Sequence, residues 1–219
     1  MDHTASVRCW HCDDAHPASL FCPRCQAIQQ LPPQVDYFTV FGLPRNPVVD
    51  EAALTLRYYE LSRRLHPDLY QTGAAEEKEA SLQNTALLNR AYRTLREVVR
   101  RGQYWLELQG EQLGRDNHRV PPALATLVFE VQEKLAETHD NRVEGSNEAT
   151  EAELATIRAE VHAQFERSRT TLVNNLTQWS EGNGTPALLQ QLKTCLSEIA
   201  YLRTLLRDVD KESEASWNG

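Results

Sequence analysis

Hydrophobic residues recur at helical spacing in two neighbouring segments of the chain. In residues 50–65 the spacings are four, three and four, which places these residues on one face of a helix. This first stripe consists of Leu54, Tyr58, Leu61 and Leu65. A second stripe, in residues 76–95, consists of Leu88, Ala91, Tyr92 and Leu95. The two stripes predict an antiparallel helical hairpin.

The tripeptide His66-Pro67-Asp68 lies between these two segments. Pro67 has no backbone donor and moves His66 out of the helical region, so the first helix is expected to end here. The simplest interpretation of such a tripeptide is a turn in which Asp68 makes local hydrogen bonds. The hairpin, however, would display it at its tip.

Three arginines lie on the helix that leads into this turn. Arg57 and Arg64 are seven residues apart and share one side of the helix, with Arg63 beside them. A solvated face is the default interpretation of such charges. They nevertheless give a local positive charge to the end of the helix nearest the tip.

The C-terminal half contains three more amphipathic segments, at about 123–141, 149–181 and 186–211. Short connections between them predict an antiparallel three-helix bundle. The buried stripe of the third segment is Leu192, Cys195, Ile199, Leu202, Leu206 and Val209. A preceding helical pattern closes at Gly110, so the predicted domains are 1–35, 36–110 and 118–212.

Two aromatic residues fall outside the buried stripes of this bundle. Phe129 points about 140° away from its stripe, and Tyr201, with Leu205 on its flank, about 135° away. The arc around Phe129 also contains Glu130, Glu133 and Glu137. A lone surface apolar residue, or packing on another domain, is the simpler interpretation of each aromatic. Together they suggest a docking surface.

Composition and charge exclude several classes of partner. The 219 residues are 41% hydrophobic, which is enough for packed cores. Residues 110–219 carry -7 of the net charge of -8, so the chain should repel a phosphate backbone, and nucleic acid is not expected as a partner. No apolar run approaches the ~18–20 residues needed to cross a bilayer, so no membrane partner is expected either.

Four cysteines form two CxxC pairs, CWHC and CPRC, nine residues apart. Cys9, Cys12, Cys22 and Cys25 could deliver four thiolates to one tetrahedral zinc ion. Because so short a segment has few apolar residues to bury, the zinc is predicted to be structural. Two disulfides, or a redox-active CxxC of a thiol oxidoreductase, remain open as alternatives.

Three other residues bear on this interpretation. His11 and His16 are near enough to substitute as ligands, although an exposed loop histidine is the commoner finding. Cys195 is expected to be buried in the bundle.

The chain has no phosphate-cradling glycine loop, nucleophile elbow or paired-carboxylate site, so it is not expected to be an enzyme.

The segments DYFTVFGLP, HPDLY and NRAYRTL, together with the arginine-bearing helix, resemble a J-domain over about 75 residues. J-domains engage DnaK-type ATPase chaperones. The resemblance implies that His66, Pro67 and Asp68 contact the chaperone and trigger ATP hydrolysis. It also implies that the docking helix is the one carrying Arg57, Arg63 and Arg64.

The order of all the modules, from CWHC to the acidic bundle, resembles the HscB family of iron-sulfur cluster co-chaperones. The resemblance implies an adaptor between an HscA- or DnaK-type chaperone and an IscU-type scaffold protein. The residues that match the scaffold-binding positions are Phe129, Glu130, Glu133, Glu137 and Tyr201. Ala125, Thr126 and Leu127 depart from the family pattern, so the affinity for scaffold is expected to differ.

The resemblance leaves three points open. The alternative function is that of a general J-protein for unfolded clients. The zinc segment could also be the contact surface of a weak homodimer. The bacterial cytoplasm is the favoured compartment, because the first cysteine at position 9 leaves little room for a presequence, and the mitochondrial matrix is the alternative.

Overall fold

A computed structural model describes residues 6–113, 120–143 and 147–217. The protein is mainly α-helical, as predicted, with one antiparallel sheet of two short strands near its N-terminus. The strands are β1 (Ser6–Arg8) and β2 (Ala15–Pro17). The helices are α1 (Tyr37–Phe41), α2 (Glu51–Leu65), α3 (Ala75–Arg96), α4 (Val98–Leu108), α5 (Ala125–Val143), α6 (Asn147–Ser180) and α7 (Pro186–Trp217). Within the described ranges, no helix combines the length and hydrophobicity that a membrane span requires.

The chain divides into two compact units, Met1–Arg101 and Gly102–Gly219. The first unit holds the sheet and helices α1 to α3, and the second holds the three long helices. Helix α4 begins in the first unit and ends in the second. Each unit has its own hydrophobic core.

The predicted hairpin of α2 and α3 is the centre of the first unit. Leu54, Leu61 and Leu65 of α2 are fully buried, as are Leu88 and Leu95 of α3. The tyrosines of the two stripes are half-buried, and their rings, those of Tyr58 and Tyr92, stack with centroids 4.1 Å apart. The Asp50 carboxylate accepts hydrogen bonds from the first backbone N–H groups of α2 and so fixes where this helix begins.

The second unit is built on a core shared by α5, α6 and α7. Its fully buried members include Leu124, Val131, Ile157, Leu202 and Val209. Cys195 is buried as predicted, and its thiol donates to the Ser168 carbonyl at 2.9 Å. Burial raises the pKa of this thiol to about 12, which keeps it protonated and unreactive.

The predicted outward orientation of Tyr201 and Leu205 is wrong. Leu205 is 6% exposed, and Tyr201 is half-buried and packs against the core of the bundle. The prediction treated the buried face of α7 as a single narrow stripe. Because α7 contributes to a core shared with two helices, its buried face is wider and includes residues on both sides of Leu202.

Candidate functional site

The turn that carries the tripeptide is formed by the end of α2 and a short 3-10 helix, Pro67–Tyr70. Helix α2 ends at Leu65, and His66 leaves the helical region with φ -57° and ψ 127°. The imidazole Nδ1 of His66 accepts a hydrogen bond from the Asp68 backbone at 3.3 Å and caps the 3-10 helix. Proline therefore ends the helix where the sequence predicted.

Both ionisable side chains of the tripeptide face solvent. The His66 side chain is 57% exposed and that of Asp68 is 71% exposed, with Nδ1 of the imidazole 3.5 Å from the carboxylate. Gln71 donates to the same carboxylate at 3.1 Å. A partner can therefore reach both groups, while local contacts limit how far they move.

Side chains from α3 hold the end of α2 beneath the turn. The Leu65 carbonyl, which the end of the helix leaves without an intrahelical donor, accepts from Ser81 Oγ at 2.6 Å and from Thr85 Oγ1 at 3.2 Å. The Tyr70 hydroxyl donates to the Arg64 carbonyl at 2.9 Å. The position of the turn is thus set by these hydrogen bonds, of which that from Ser81 is buried, as well as by Pro67.

Replacing Ser81 by alanine is expected to lower the free energy of unfolding by about 1–2 kcal/mol, because Ser81 is fully buried and the Leu65 carbonyl loses its closer donor. The measurement is the urea midpoint of the parent and the variant at equal slope. Thr72→Ala, an exposed hydroxyl in the following loop, serves as the control. Equal midpoints for Ser81→Ala and the parent would contradict this account.

The three predicted docking arginines all lie on α2, and their side chains have different partners. Arg57 donates to Glu60 at 2.7 Å, and this hydrogen bond lowers the pKa of the Glu60 carboxyl. Arg63 donates to the backbone carbonyl of Tyr59. Arg64 instead contacts the cysteine-rich segment, where its guanidinium lies 3.9 Å from the centre of the Phe21 ring.

The four predicted ligand cysteines are brought together in the first unit. The Sγ atoms of Cys9, Cys12, Cys22 and Cys25 all lie within 4.8 Å of one another. The Cys9–Cys25 and Cys12–Cys22 pairs are 3.6 and 3.7 Å apart, far beyond a disulfide of about 2.05 Å. Four thiolates around a zinc ion at about 2.3 Å would lie about 3.8 Å apart. The donor set therefore fits one tetrahedral metal ion.

The two halves of this cluster have the same backbone hydrogen bonds. Cys9 N–H donates to the Asp14 carbonyl, and Asp13 N–H donates back to Cys9. Cys22 and Gln26 repeat this arrangement in the second half. Asp13 and Gln26 adopt positive φ angles, 56° and 61°, which turn the chain back under each first cysteine.

The clustered cysteines have different pKa values because their surroundings differ. Burial opposes ionisation of Cys9, but the backbone N–H groups of Cys12 and His11, together with the thiols of Cys25 and Cys12, outweigh it and lower the Cys9 pKa to about 6. For Cys12, a backbone hydrogen bond from Asp14 is outweighed by burial and the neighbouring thiols, which raise its pKa to about 12. The thiols thus compete for charge, and a bound cation would relieve that competition.

Neither histidine joins the cluster. His11 is exposed. The exposed position expected for His16 is wrong, because this residue pairs with Val7 in the small sheet and is 4% exposed. Its Nδ1–H donates to the Pro17 carbonyl at 2.8 Å. His16 therefore contributes to the packing of the segment.

The predicted scaffold-binding residues are distributed over two helices. Phe129 is 67% exposed on α5, and the three glutamates that follow it are exposed as well. At 100° per residue these four side chains span about 100° of the helix surface. Tyr201 belongs to α7 and packs against the core, so it is not part of the exposed arc on α5.

Curated relatives of this chain are iron-sulfur cluster co-chaperone proteins named HscB, and no family model matches. The human protein is 36% identical over 135 residues, 59% of this chain and 57% of the relative. The Arabidopsis thaliana homolog is 31% identical over 133 residues, with shares of 61% and 52%. The mouse protein is 34% identical over 149 residues, with shares of 65% and 63%. The chain thus spans between about half and just under two thirds of these relatives.

The crystal structure of human co-chaperone protein HscB matches this fold with a TM-score of 0.70 at 27% identity, and the match covers 94% of this chain and 98% of that one. In sequence and in fold, this chain is therefore similar to HscB co-chaperone proteins. The chaperone HscB from Vibrio cholerae shares the fold, with a TM-score of 0.61, 23% identity and coverage of 83% and 99%. The compartment remains a prediction.

In this HscB-like fold, the sequence prediction missed the residues that join the cysteine-rich segment to the hairpin. Asn84 of α3 is buried, its amide donates to the Gln29 carbonyl at 2.7 Å, and its oxygen accepts from Leu31 N–H. Gln29 in turn donates to Cys9 Sγ at 3.3 Å. A polar residue next to the buried stripe of α3 was the only signal in the sequence.

Proposed function

We propose that the chain is a J-domain co-chaperone that stimulates the ATPase of an HscA- or DnaK-type chaperone. The observation that carries this proposal is the turn at His66 and Asp68, whose ionisable side chains are exposed on a tip held by a buried hydrogen bond from Ser81. A partner can bind such a preformed tip with little ordering cost. The relatives named HscB co-chaperones support the same function.

In this mechanism the exposed groups act by charge complementarity. The Asp68 carboxylate presents a negative charge at the tip, and Arg57, Arg63 and Arg64 present positive charges along α2. Opposite patches on the chaperone would orient the encounter and fix its register. The chain would supply binding energy that favours the hydrolysing state of its partner and would catalyse no reaction itself.

We further propose that the C-terminal bundle holds an IscU-type scaffold protein. The exposed side chains of Phe129, Glu130, Glu133 and Glu137 on α5 provide an aromatic anchor with an acidic surround. Tyr201, half-buried on α7, would contribute through its exposed part. Because an exposed aromatic next to carboxylates suits an apolar patch rimmed by basic residues, a folded partner protein fits this face.

The metal in this proposal is a single structural zinc ion held by Cys9, Cys12, Cys22 and Cys25. The Sγ–Sγ distances of the Cys9–Cys25 and Cys12–Cys22 pairs, 3.6 and 3.7 Å, are close to the edges of a zinc–thiolate tetrahedron. A four-thiolate shell leaves no coordination position for substrate, which fits a role in folding the segment.

The test of the function is the steady-state ATPase rate of a DnaK- or HscA-type chaperone with and without this protein. Stimulation is expected, and a further rise is expected when purified IscU-type scaffold is added. Stimulation without any response to scaffold would favour the general J-protein. An unchanged rate with each chaperone would refute the co-chaperone function.

Phe129→Ala is expected to weaken scaffold binding by at least ~1–2 kcal/mol, since truncating an aromatic anchor at an interface removes packing that water cannot replace. The measurement is the Kd by calorimetry. Val173→Ala is the matched control, because this residue is also apolar and exposed (43%) but lies on α6. An unchanged Kd for Phe129→Ala would remove this residue from the binding surface.

A further inference from the structure

Arg64 is held by residues of the cysteine-rich segment. Its guanidinium carbon lies 3.9 Å from the centre of the Phe21 ring, within the distance for a cation–π contact. One of its terminal N–H groups donates to Gln26 Oε1 at 3.4 Å. Its backbone carbonyl accepts from Tyr70. Both the main chain and the side chain of this arginine are therefore restrained.

The contacts of Arg64 leave it available to a partner. Its side chain remains exposed even though the Phe21 ring lies against it. A guanidinium has five N–H donors, and the bond to Gln26 accounts for one terminal nitrogen. The phenyl ring of Phe21 is uncharged, so it leaves the positive charge of Arg64 in place. The positive charge of Arg57, by contrast, is partly neutralised by the carboxylate of Glu60. The contact orients Arg64 without removing it from the surface.

The residues that orient Arg64 are themselves fixed by the cysteine centre. Phe21 precedes Cys22, and its backbone forms a bridge with Ile28. Each half of the cysteine cluster forms a turn, the first from Cys9 to Asp14 and the second from Cys22 to Ala27, and in the second cysteine turn Gln26 N–H donates to the Cys22 carbonyl. The positions of both side chains thus depend on the turn that places Cys22 and Cys25.

The same segment is anchored to the hairpin at a second place. Asn84 of α3 bonds to the backbone of Gln29 and Leu31, and Gln29 donates to Cys9 Sγ. These bonds are buried and link one cysteine turn to α3, while Phe21 links the other turn to α2. Because both contacts lie within one compact unit, the segment can hold Arg64 in one orientation.

We infer that Phe21, assisted by Gln26, is a positioning residue for Arg64, and that the cysteine-rich segment is thereby part of the chaperone-docking surface. This inference rests on the proposed co-chaperone function. An arginine held in one orientation loses less conformational freedom when it binds a carboxylate. Phe21 therefore acts on the affinity for the chaperone and not on the maximal stimulated rate.

The test is the dependence of chaperone ATPase on the concentration of the metal-loaded full-length protein. Phe21→Ala is expected to raise the half-maximal concentration about 3- to 10-fold, the range of a cation–π contact, and to leave the maximal rate unchanged. Phe21→Tyr, which keeps an aromatic face, is expected to restore the parent value. Val48→Ala truncates an exposed apolar side chain of the same compact unit, and it is expected to have no effect.

A double-mutant cycle shows whether the effect passes through Arg64. In an Arg64→Ala background, Phe21→Ala is expected to cause no further loss. Metal content is measured for each variant, and if Phe21→Ala releases metal, Phe21→Leu takes its place. An unchanged half-maximal concentration for the variant, or equal losses with and without Arg64, would overturn the inference. No stimulation by the parent protein would instead refute the proposed function.

Discussion

Replacing Asp68 by asparagine is expected to abolish stimulation of the chaperone ATPase. The substitution keeps the size of the side chain, and the remaining carbonyl oxygen can still accept from Gln71. The change therefore removes a negative charge from a side chain that is 71% exposed and leaves the turn in place. If the Asp68 carboxylate becomes buried against a basic group of the chaperone, its loss costs about 2–5 kcal/mol, enough to return the ATPase rate to its basal value.

The measurement is the ATPase rate across a range of co-chaperone concentrations. Asp208→Asn is the matched control, because this carboxylate lies on α7 and pairs only with Lys211 at 3.5 Å among the contacts described. It is expected to stimulate as the parent does. If Asp68→Asn stimulated equally well, the tripeptide would be a simple turn and the docking site would lie elsewhere.

Removal of the metal is expected to unfold the cysteine-rich segment while the long helices stay folded. The apolar residues of this segment are few, and the free energy of zinc binding to structural sites in small domains is about 10–16 kcal/mol. Cys22→Ser is expected to lose the metal as well, since it removes one of four ligands from a closed shell. The helical signal in circular dichroism is expected to change little in both cases.

Thiol titration with and without a chelator measures this effect directly. The four clustered cysteines are expected to become reactive only after chelation, because a bound metal ion occupies their thiolates. Cys195, buried in the bundle with its pKa raised, is expected to stay unreactive in both conditions. Rapid reaction without chelator, together with disulfide turnover, would instead support a thiol oxidoreductase.

The features that the sequence predicts well are those governed by local periodicity and stereochemistry. The spacing of Leu54, Leu61 and Leu65 indicates the buried face of α2, and Pro67 marks its end, because both effects act within one or two turns. The cysteine cluster is also predictable, because two CxxC pairs at this spacing usually bind one metal ion together.

The features that the sequence does not predict depend on contacts between distant segments. Ser81 and Thr85 form hydrogen bonds to Leu65 from across the hairpin. Phe21 contacts Arg64 from the N-terminal segment, and no periodic pattern in the sequence shows where that segment packs. The position of Tyr201 was missed for the same reason. The width of a buried face depends on how many helices pack against it, which a single stripe does not report.

Gln26 is subject to two opposing requirements. Its backbone adopts φ 61°, a left-handed conformation that costs residues other than glycine about 1–2 kcal/mol. Its side chain, however, accepts a hydrogen bond from Arg64, which a glycine could not do. Redesign of the cysteine turn for stability alone would choose glycine at this position. Such a gain in stability would be a trade-off, because it would remove the hydrogen bond between this turn and Arg64 of α2.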